Sequence, residues 1–116
     1  MKHEVSAEMQ QCIQNCTNCR SICVQTIEHC LRMGGKHVEA SHVKSLSDCA
    51  DACRISADFM LRDSALYTQV CGVCAEACAR CAESCAQFGD DAQMKACAEE
   101  CRRCAASCRE MAKMKM

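Results

Sequence analysis

The cysteines of residues 71–85, CGVCAEACARCAESC, and of residues 97–108, CAEECRRCAASC, recur at a short and regular spacing. They are three or four positions apart, and side chains at that spacing lie on one face of an α-helix. At about 100° per residue, the cysteines of the first stretch span an arc of about 80°, and those of the second span about 60°. A β-strand would require strict alternation, which is absent. Each stretch therefore predicts a helix that carries a stripe of thiols.

The same spacing recurs in the N-terminal half of the chain. The cysteines between residues 12 and 30 lie within an arc of about 60°, and two more follow at positions 49 and 53. Helix ends and N-caps are indicated by Gly34-Gly35, by Asp63-Ser64, and by Gly89 with the following Asp90-Asp91. We therefore predict one domain over residues 1–116, with helices at about 7–33, 37–62, 64–88 and 91–113.

Short connections between long helices make consecutive helices antiparallel. A bundle helix directs its most apolar stripe to the shared core, and here those stripes are mostly cysteine. The predicted fold class is therefore all-α, an antiparallel up-down four-helix bundle with a cysteine-lined core.

Composition supports an unusual interior. Cysteine accounts for 16 of the 116 residues, above the ~8–10% that indicates a cysteine scaffold. Leu, Ile, Val and Phe together also number 16, so a conventional hydrophobic core would be thin. The thiols are the candidates for holding the fold together.

Charge and hydropathy exclude several functional classes. The formal net charge is −1, and no basic block with interleaved aromatic residues suggests a nucleic-acid surface. No apolar run approaches the ~18–20 residues that a membrane span needs. Residues 1–8 are polar and lack the apolar core of a signal peptide. We therefore expect a cytoplasmic protein whose thiols stay reduced, with no nucleic-acid or membrane partner.

Three roles are open to the thiols: small buried hydrophobes, disulfides, or metal ligands. The first suits one or two cysteines but not 16 on four stripes. Disulfides within one helix are poorly placed, because Cβ atoms at i and i+4 are about 5–6 Å apart and a disulfide needs about 3.5–4.5 Å. Metal binding fits best, since thiolate is a soft ligand suited to Cu(I), Zn(II) or iron–sulfur clusters.

Charge and spacing favour Cu(I) among these metals. Structural zinc sites take four converging ligands, usually from Cys-x-x-Cys turns on loops, and the run from Cys71 to Cys81 matches a ferredoxin cluster motif only in part. Sixteen thiolates carry sixteen negative charges, which an apolar interior cannot hold uncompensated. Sixteen monovalent ions would cancel them, whereas four divalent zinc ions would leave eight.

Histidines and methionines extend the stripes at their ends. His42 lies seven residues before Cys49 and shares its face, so we predict it as a ligand or an entry residue. In an antiparallel bundle, one end gathers Met33, His37, His42 and Met94; we call this end the mouth. The other end gathers Met9, Met60, Tyr67 and Met111 and is predicted to be closed. His29 is predicted to point outward.

Four cysteine stripes in series resemble one family, the cytosolic bacterial copper storage proteins. The resemblance covers about residues 9–111 and rests on four motifs: Cys12-x3-Cys16-x2-Cys19-x3-Cys23, Asp48-Cys49-Ala50-Asp51-Ala52-Cys53, Cys71-x2-Cys74-x3-Cys78-x2-Cys81-x3-Cys85, and Cys97-x3-Cys101-x2-Cys104-x3-Cys108. It implies Cu(I) held by thiolates inside the bundle, many ions per chain, a tetramer, and His and Met residues around one open end. This chain carries His42 and Met94 at two positions where the family has further cysteines.

The leading prediction is a non-enzymatic protein that stores or buffers many Cu(I) ions, its cofactor and cargo. The alternative is a zinc or mixed-metal sequestering protein of metallothionein type. A copper-sensing repressor would need a basic face and few ligands, and a thiol oxidoreductase would need an exposed Cys-x-x-Cys. Whether Met9, Met33, Met60, Met111 and His37 bind metal is left open. The predicted metal ligands are Cys12, Cys16, Cys19, Cys23, Cys30, Cys49, Cys53, Cys71, Cys74, Cys78, Cys81, Cys85, Cys97, Cys101, Cys104, Cys108, His42 and Met94.

Overall fold

The computed structural model describes residues 6–114 and confirms the all-α fold class. This part of the chain contains four α-helices, one short 3-10 helix and no strand. The α-helices are α1 (Ala7–Met33), α2 (Ala40–Leu61), α3 (Tyr67–Ala86) and α4 (Ala92–Ala112), and the 3-10 helix (Gly35–Val38) lies between α1 and α2. The lack of proline and the many Ala, Glu, Gln, Lys and Arg residues favour such long uninterrupted helices.

Two helices begin with a side-chain cap. The Ser6 hydroxyl oxygen accepts a hydrogen bond from the Met9 backbone N–H at 3.1 Å at the start of α1. The Asp91 carboxylate accepts one from the Met94 backbone N–H, also at 3.1 Å, at the start of α4. Each cap satisfies one of the N–H groups that a helix start leaves without an intrahelical partner.

The helix boundaries around α2 and α3 differ from the predicted ones. α2 begins at Ala40 rather than near residue 37, because the segment Gly35–Val38 after the first helix winds as a 3-10 turn. Asp63 and Ser64 do not cap α3, which begins at Tyr67 rather than 64. Asp63 adopts a left-handed conformation with φ of 53°, and the Ser64 hydroxyl accepts from the Leu66 N–H at 3.1 Å. These two residues therefore form a turn, and the helix starts one turn later.

Contacts between the helices establish how they run. Cys12 and Cys23 of α1 pair with Cys108 and Cys97 of α4, with Sγ–Sγ distances of 3.6 and 3.9 Å. Residue number rises along α1 as it falls along α4, so these two helices are antiparallel. The pairs that join α1 to α2 and α2 to α3 show the same reversal: Cys30 with His42, Cys19 with Cys49, His42 with Ser84, and Ser56 with Val70.

The interior of this rod, which measures 53 × 20 × 20 Å, is built from sulfur. All 16 cysteines are buried, none more than 1% exposed. The largest fully buried apolar side chains are Leu46, Met60, Met94 and Met111. Small residues flank the cysteine stripes and let the helices approach closely: Ala50, Ala57, Ala75, Ala82, Ala98 and Ala105. Between residues 6 and 114, no helix combines the length and the apolar character needed to cross a bilayer.

Candidate metal centre

The thiols of the four helices meet along the bundle axis. Sulfur atoms from different helices lie 3.5–3.9 Å apart, as in Cys49 with Cys78 at 3.5 Å and Cys23 with Cys97 at 3.9 Å. A disulfide would require about 2.05 Å, and all 16 cysteines are free. Such separations suit sulfur atoms that share a metal ion, because a metal–sulfur bond of about 2.3 Å places two ligands of one ion roughly 4 Å apart.

The sulfur atoms form overlapping groups rather than separate sites. Within each group, every sulfur lies within 4.8 Å of the others. Cys53 and Cys104 belong to two successive groups, and Cys23 and Cys101 belong to two further ones. The groups include Cys16–Cys53–Cys74–Cys104, Cys19–Cys53–Cys78–Cys104, Cys19–Cys23–Cys49–Cys101, Cys23–Cys81–Cys97–Cys101 and Cys12–Cys16–Cys108. We call this continuous arrangement the thiol column.

Hydrogen bonds between neighbouring sulfur atoms shift the pKa values of thiols in the column in opposite directions. Hydrogen bonding from Cys108, and then from Cys16, lowers the pKa of Cys12, whereas contacts with Cys104 and Cys12 raise the pKa of Cys108. One thiolate is thus stabilised by neighbours that keep their protons. Burial, with the charge of Asp91 second, raises the pKa of Cys30 to about 11. Cys30 is therefore a neutral thiol at neutral pH and releases its proton when it binds a metal.

His42 and Met94 lie beside Cys30 at the mouth, as predicted from their positions in the sequence. His42 Nε2 is 3.4 Å from the Cys30 Sγ, and Met94 Sδ is 4.0 Å from the same atom. Both side chains are buried. Burial, and secondly the charge of His37, lowers the pKa of His42, which favours a neutral imidazole. When His42 Nδ1–H donates to the Ser84 hydroxyl, 2.6 Å away, the Nε2 lone pair faces Cys30.

His29 lies off the cysteine stripe, as predicted, but its side chain is only 29% exposed and contacts the start of α4. Its Nε2 lies 2.8 Å from Oδ2 of Asp91, and His37 Nε2 lies 2.9 Å from the same oxygen. Burial raises the pKa of Asp91, but hydrogen bonds from the two histidines outweigh that effect and hold the pKa below its usual range. Nothing in the spacing of His29 signals this contact, because it depends on the end of α1 meeting the start of α4.

The prediction that Met33 lies at the mouth is wrong. Met33 is 56% exposed, since it is the last residue of α1 and projects from the bundle before the chain turns at Gly34. The opposite end of the bundle agrees with the predicted closed end: Met9, Met60, Tyr67 and Met111 are all buried there. The two ends therefore differ in chemistry, with histidine and carboxylate at one and thioether and phenol at the other.

The fold and the thiol column define a class: a helical bundle whose interior is lined with cysteine thiols, the ligand type that soft metal ions prefer. The model of the copper storage protein family matches residues 5–113. The chain therefore belongs to the copper storage protein family.

Solved structures with the same fold include copper-bound proteins. A Nitrosospira multiformis protein superposes with a TM-score of 0.88 at 44% identity, covering 93% of this chain and 97% of that one. The Cu(I)-bound copper storage protein BsCsp3 gives a TM-score of 0.84 at 30% identity, covering 90% and 98%. A cytosolic copper storage protein from Streptomyces lividans, with five coppers, gives 0.80 at 28% identity, covering 94% and 95%.

A curated relative matches over a shorter stretch. The cysteine-rich protein YhjQ of Bacillus subtilis is 31% identical over 67 residues, which is 58% of this chain. That stretch spans 62% of the length of the Bacillus protein.

Proposed function

We propose that this protein stores Cu(I) by binding many ions along the thiol column. The observation that carries the proposal is that the sulfur groups overlap, so that one sulfur atom belongs to two neighbouring candidate metal sites. Such sharing suits Cu(I), which accepts two or three sulfur ligands and forms thiolate-bridged clusters. A tetrahedral zinc site, by contrast, takes four ligands of its own. The proposed ligands are the 16 cysteines with His42 and Met94.

Charge supports Cu(I) over a divalent ion in this interior. The cysteines are almost completely removed from water, and uncompensated thiolates there are costly. One monovalent ion per thiolate neutralises the column, so filling it adds little net charge to a chain whose formal net charge is −1. The zinc or metallothionein-type alternative leaves a large residual negative charge and is not favoured.

We propose further that the protein is not an enzyme. A catalytic metal keeps a ligand position open to substrate, whereas the cysteines of this thiol column are at most 1% exposed. By analogy with the Streptomyces relative, we place the protein in the cytosol, where thiols remain reduced.

A homotetramer is also proposed. Its support within the structure is apolar surface outside the thiol column. Val24 and Leu31 of α1 are 46% and 64% exposed. Val73 of α3 is 66% exposed and lines one surface groove with the partly buried Ala52 and Ile55 of α2. Contact between chains would remove these side chains from water.

A Cu(I) titration of the reduced chain against a chromophoric chelator tests the storage function. We expect tight uptake of well over four ions per chain, because four tetrahedral ions would already exhaust the 16 thiols if no sulfur were shared. Zn(II) titrated in parallel serves as the control metal. Saturation near four ions, with Zn(II) bound in preference to Cu(I), would contradict the proposal.

Replacing His42 by Ala should slow copper exchange while leaving most of the capacity. His42 contacts Cys30 at the mouth and is not part of the central sulfur groups, so its loss affects the passage of ions more than their number. We expect copper transfer to a competing chelator to slow by about tenfold, the scale on which metal-site partners act. Stopped-flow absorbance measures the rate.

Met60→Leu is the matched control for His42→Ala. Met60 is buried at the closed end, and Leu conserves its volume and apolar character. Its exchange rate should equal that of the parent chain. A halved capacity in His42→Ala, or an equal slowing in both variants, would refute the role of His42 at the mouth.

A further inference from the structure

Three side chains that could ligate a metal ion, two imidazoles and a carboxylate, meet at the rim of the mouth, outside the thiol column. His29 and His37 place their Nε2 atoms 2.8 and 2.9 Å from one oxygen, Oδ2 of Asp91. The side chains come from three separate segments: α1, the 3-10 helix and the N-cap of α4. They are 29%, 16% and 12% exposed for His29, His37 and Asp91, so the cluster is sheltered but reachable from solvent.

Contacts other than those within the cluster hold these groups in place. The second oxygen of Asp91, Oδ1, accepts the Met94 N–H and so fixes the carboxylate at the start of α4. The Phe88 ring packs on His37 with the ring centroids 4.4 Å apart. Phe88 also packs on His42, at 4.7 Å, which links the cluster to the outermost part of the thiol column.

We propose that His29, His37 and Asp91 form a site for a borderline divalent cation, Zn(II) above all, that is distinct from the Cu(I)-binding column. Two imidazole nitrogens and a carboxylate oxygen suit Zn(II), whereas soft Cu(I) prefers the sulfur atoms inside. Binding requires each imidazole to carry its proton on Nδ1, which frees the Nε2 lone pair. The fourth position is left to water from the exposed side.

The observed distances are close to those that the ion needs. Bonds of about 2.0–2.1 Å in tetrahedral geometry separate two ligand atoms by about 3.4 Å. The two histidine–carboxylate contacts are about half an ångström shorter than that. Small side-chain rotations would therefore open these two contacts to the spacing that the ion requires.

An ion at this site would also restrict the passage of Cu(I) through the mouth. It would tie α1, the 3-10 helix and α4 together and hold His37 against Phe88, whose ring lies over His42. We expect Cu(I) to leave from the zinc-free state. This consequence, unlike the site itself, rests on the proposed storage of Cu(I).

The site is tested by adding Zn(II) to the full chain after saturation with Cu(I), so that the thiols are occupied. We expect one Zn(II) per chain, with no loss of copper after desalting. Zinc-edge X-ray absorption should show nitrogen and oxygen neighbours at about 2.0–2.1 Å and no sulfur at about 2.3 Å. Sulfur in the zinc shell would overturn the proposal, because it would place the ion in the thiol column.

Three substitutions identify the ligands: His29→Gln, His37→Gln and Asp91→Asn. Each should raise the Kd for Zn(II) by at least about tenfold. Asn is as good an N-cap as Asp, so Asp91→Asn removes the anionic ligand while α4 keeps its start. Asp58→Asn, at an exposed position of α2, is the matched carboxylate control and should leave the Kd unchanged. An unchanged Kd in both His37→Gln and Asp91→Asn would refute the site.

The rate of copper release tests whether Zn(II) at this site restricts the passage of Cu(I) through the mouth. With Zn(II) at ten times its Kd, copper release to a chelator should slow by about elevenfold, since only the zinc-free fraction exchanges. Asp91→Asn should abolish this slowing.

If the chain took up no Cu(I) at all, the storage function would fail. The zinc site would then be tested on the copper-free chain, where Asp91→Asn should remove one nitrogen- and oxygen-bound Zn(II), and an unchanged zinc shell would refute it.

Discussion

Replacing Cys53 by Ser is expected to remove more than one Cu(I) ion from the fully loaded chain. Cys53 belongs to two overlapping four-sulfur groups, and its Sγ lies 3.6 Å from Cys78 and 3.7 Å from both Cys74 and Cys104. A sulfur that bridges several ions contributes to the coordination of each of them. A serine hydroxyl is a hard donor that Cu(I) does not favour, so every ion in contact with this position loses a ligand.

Cys30→Ser is the matched control for Cys53→Ser. Cys30 lies at the mouth, where its neighbours are His42 and Met94, and its loss should cost no more than one ion. Copper per chain, measured after desalting and by chelator titration, compares the two variants, and circular dichroism checks that both keep their helices. Equal losses from the two variants would show that the sulfur groups do not share ions.

Copper loading is expected to raise the thermal stability of the chain strongly. The copper-free core contains 16 buried thiols and few large apolar side chains, so hydrophobic burial stabilises it less than it would a conventional core. An ion that binds only the folded chain contributes RT ln(1 + [L]/Kd), about 4 kcal/mol when its concentration is a thousand times the Kd. Several such ions together exceed the 5–15 kcal/mol that is typical of a whole folded domain.

Thermal unfolding followed by circular dichroism measures this effect, under reducing and oxygen-free conditions. The loaded chain should stay folded well above the temperature at which the copper-free chain unfolds. Cys53→Ser, loaded to its own capacity, should fall between the two because it holds fewer ions. Equal unfolding midpoints for the loaded and copper-free chains would show that metal binding is not coupled to folding.

Helices and their buried faces were predictable because both are local properties of the chain. A three-and-four spacing places side chains on one stripe whatever the surroundings, and the stripes of residues 71–85 and 97–108 are buried throughout. The predicted cap at Asp63-Ser64 was wrong because these residues form a turn, with Asp63 in a left-handed conformation, and the helix starts only at Tyr67. The 3-10 turn after Gly34 likewise depends on how the chain reaches the next helix.

The sequence by itself determined that the interior of this protein is sulfur, because cysteine occupies the stripe that each bundle helix must bury. Only the tertiary structure decided which sulfur atoms meet, because the register between two helices depends on the connections and the packing of all four. The same register brings His29, His37 and Asp91 to one point although they come from distant parts of the chain. Periodicity specifies the face on which a residue lies, but packing specifies its neighbour.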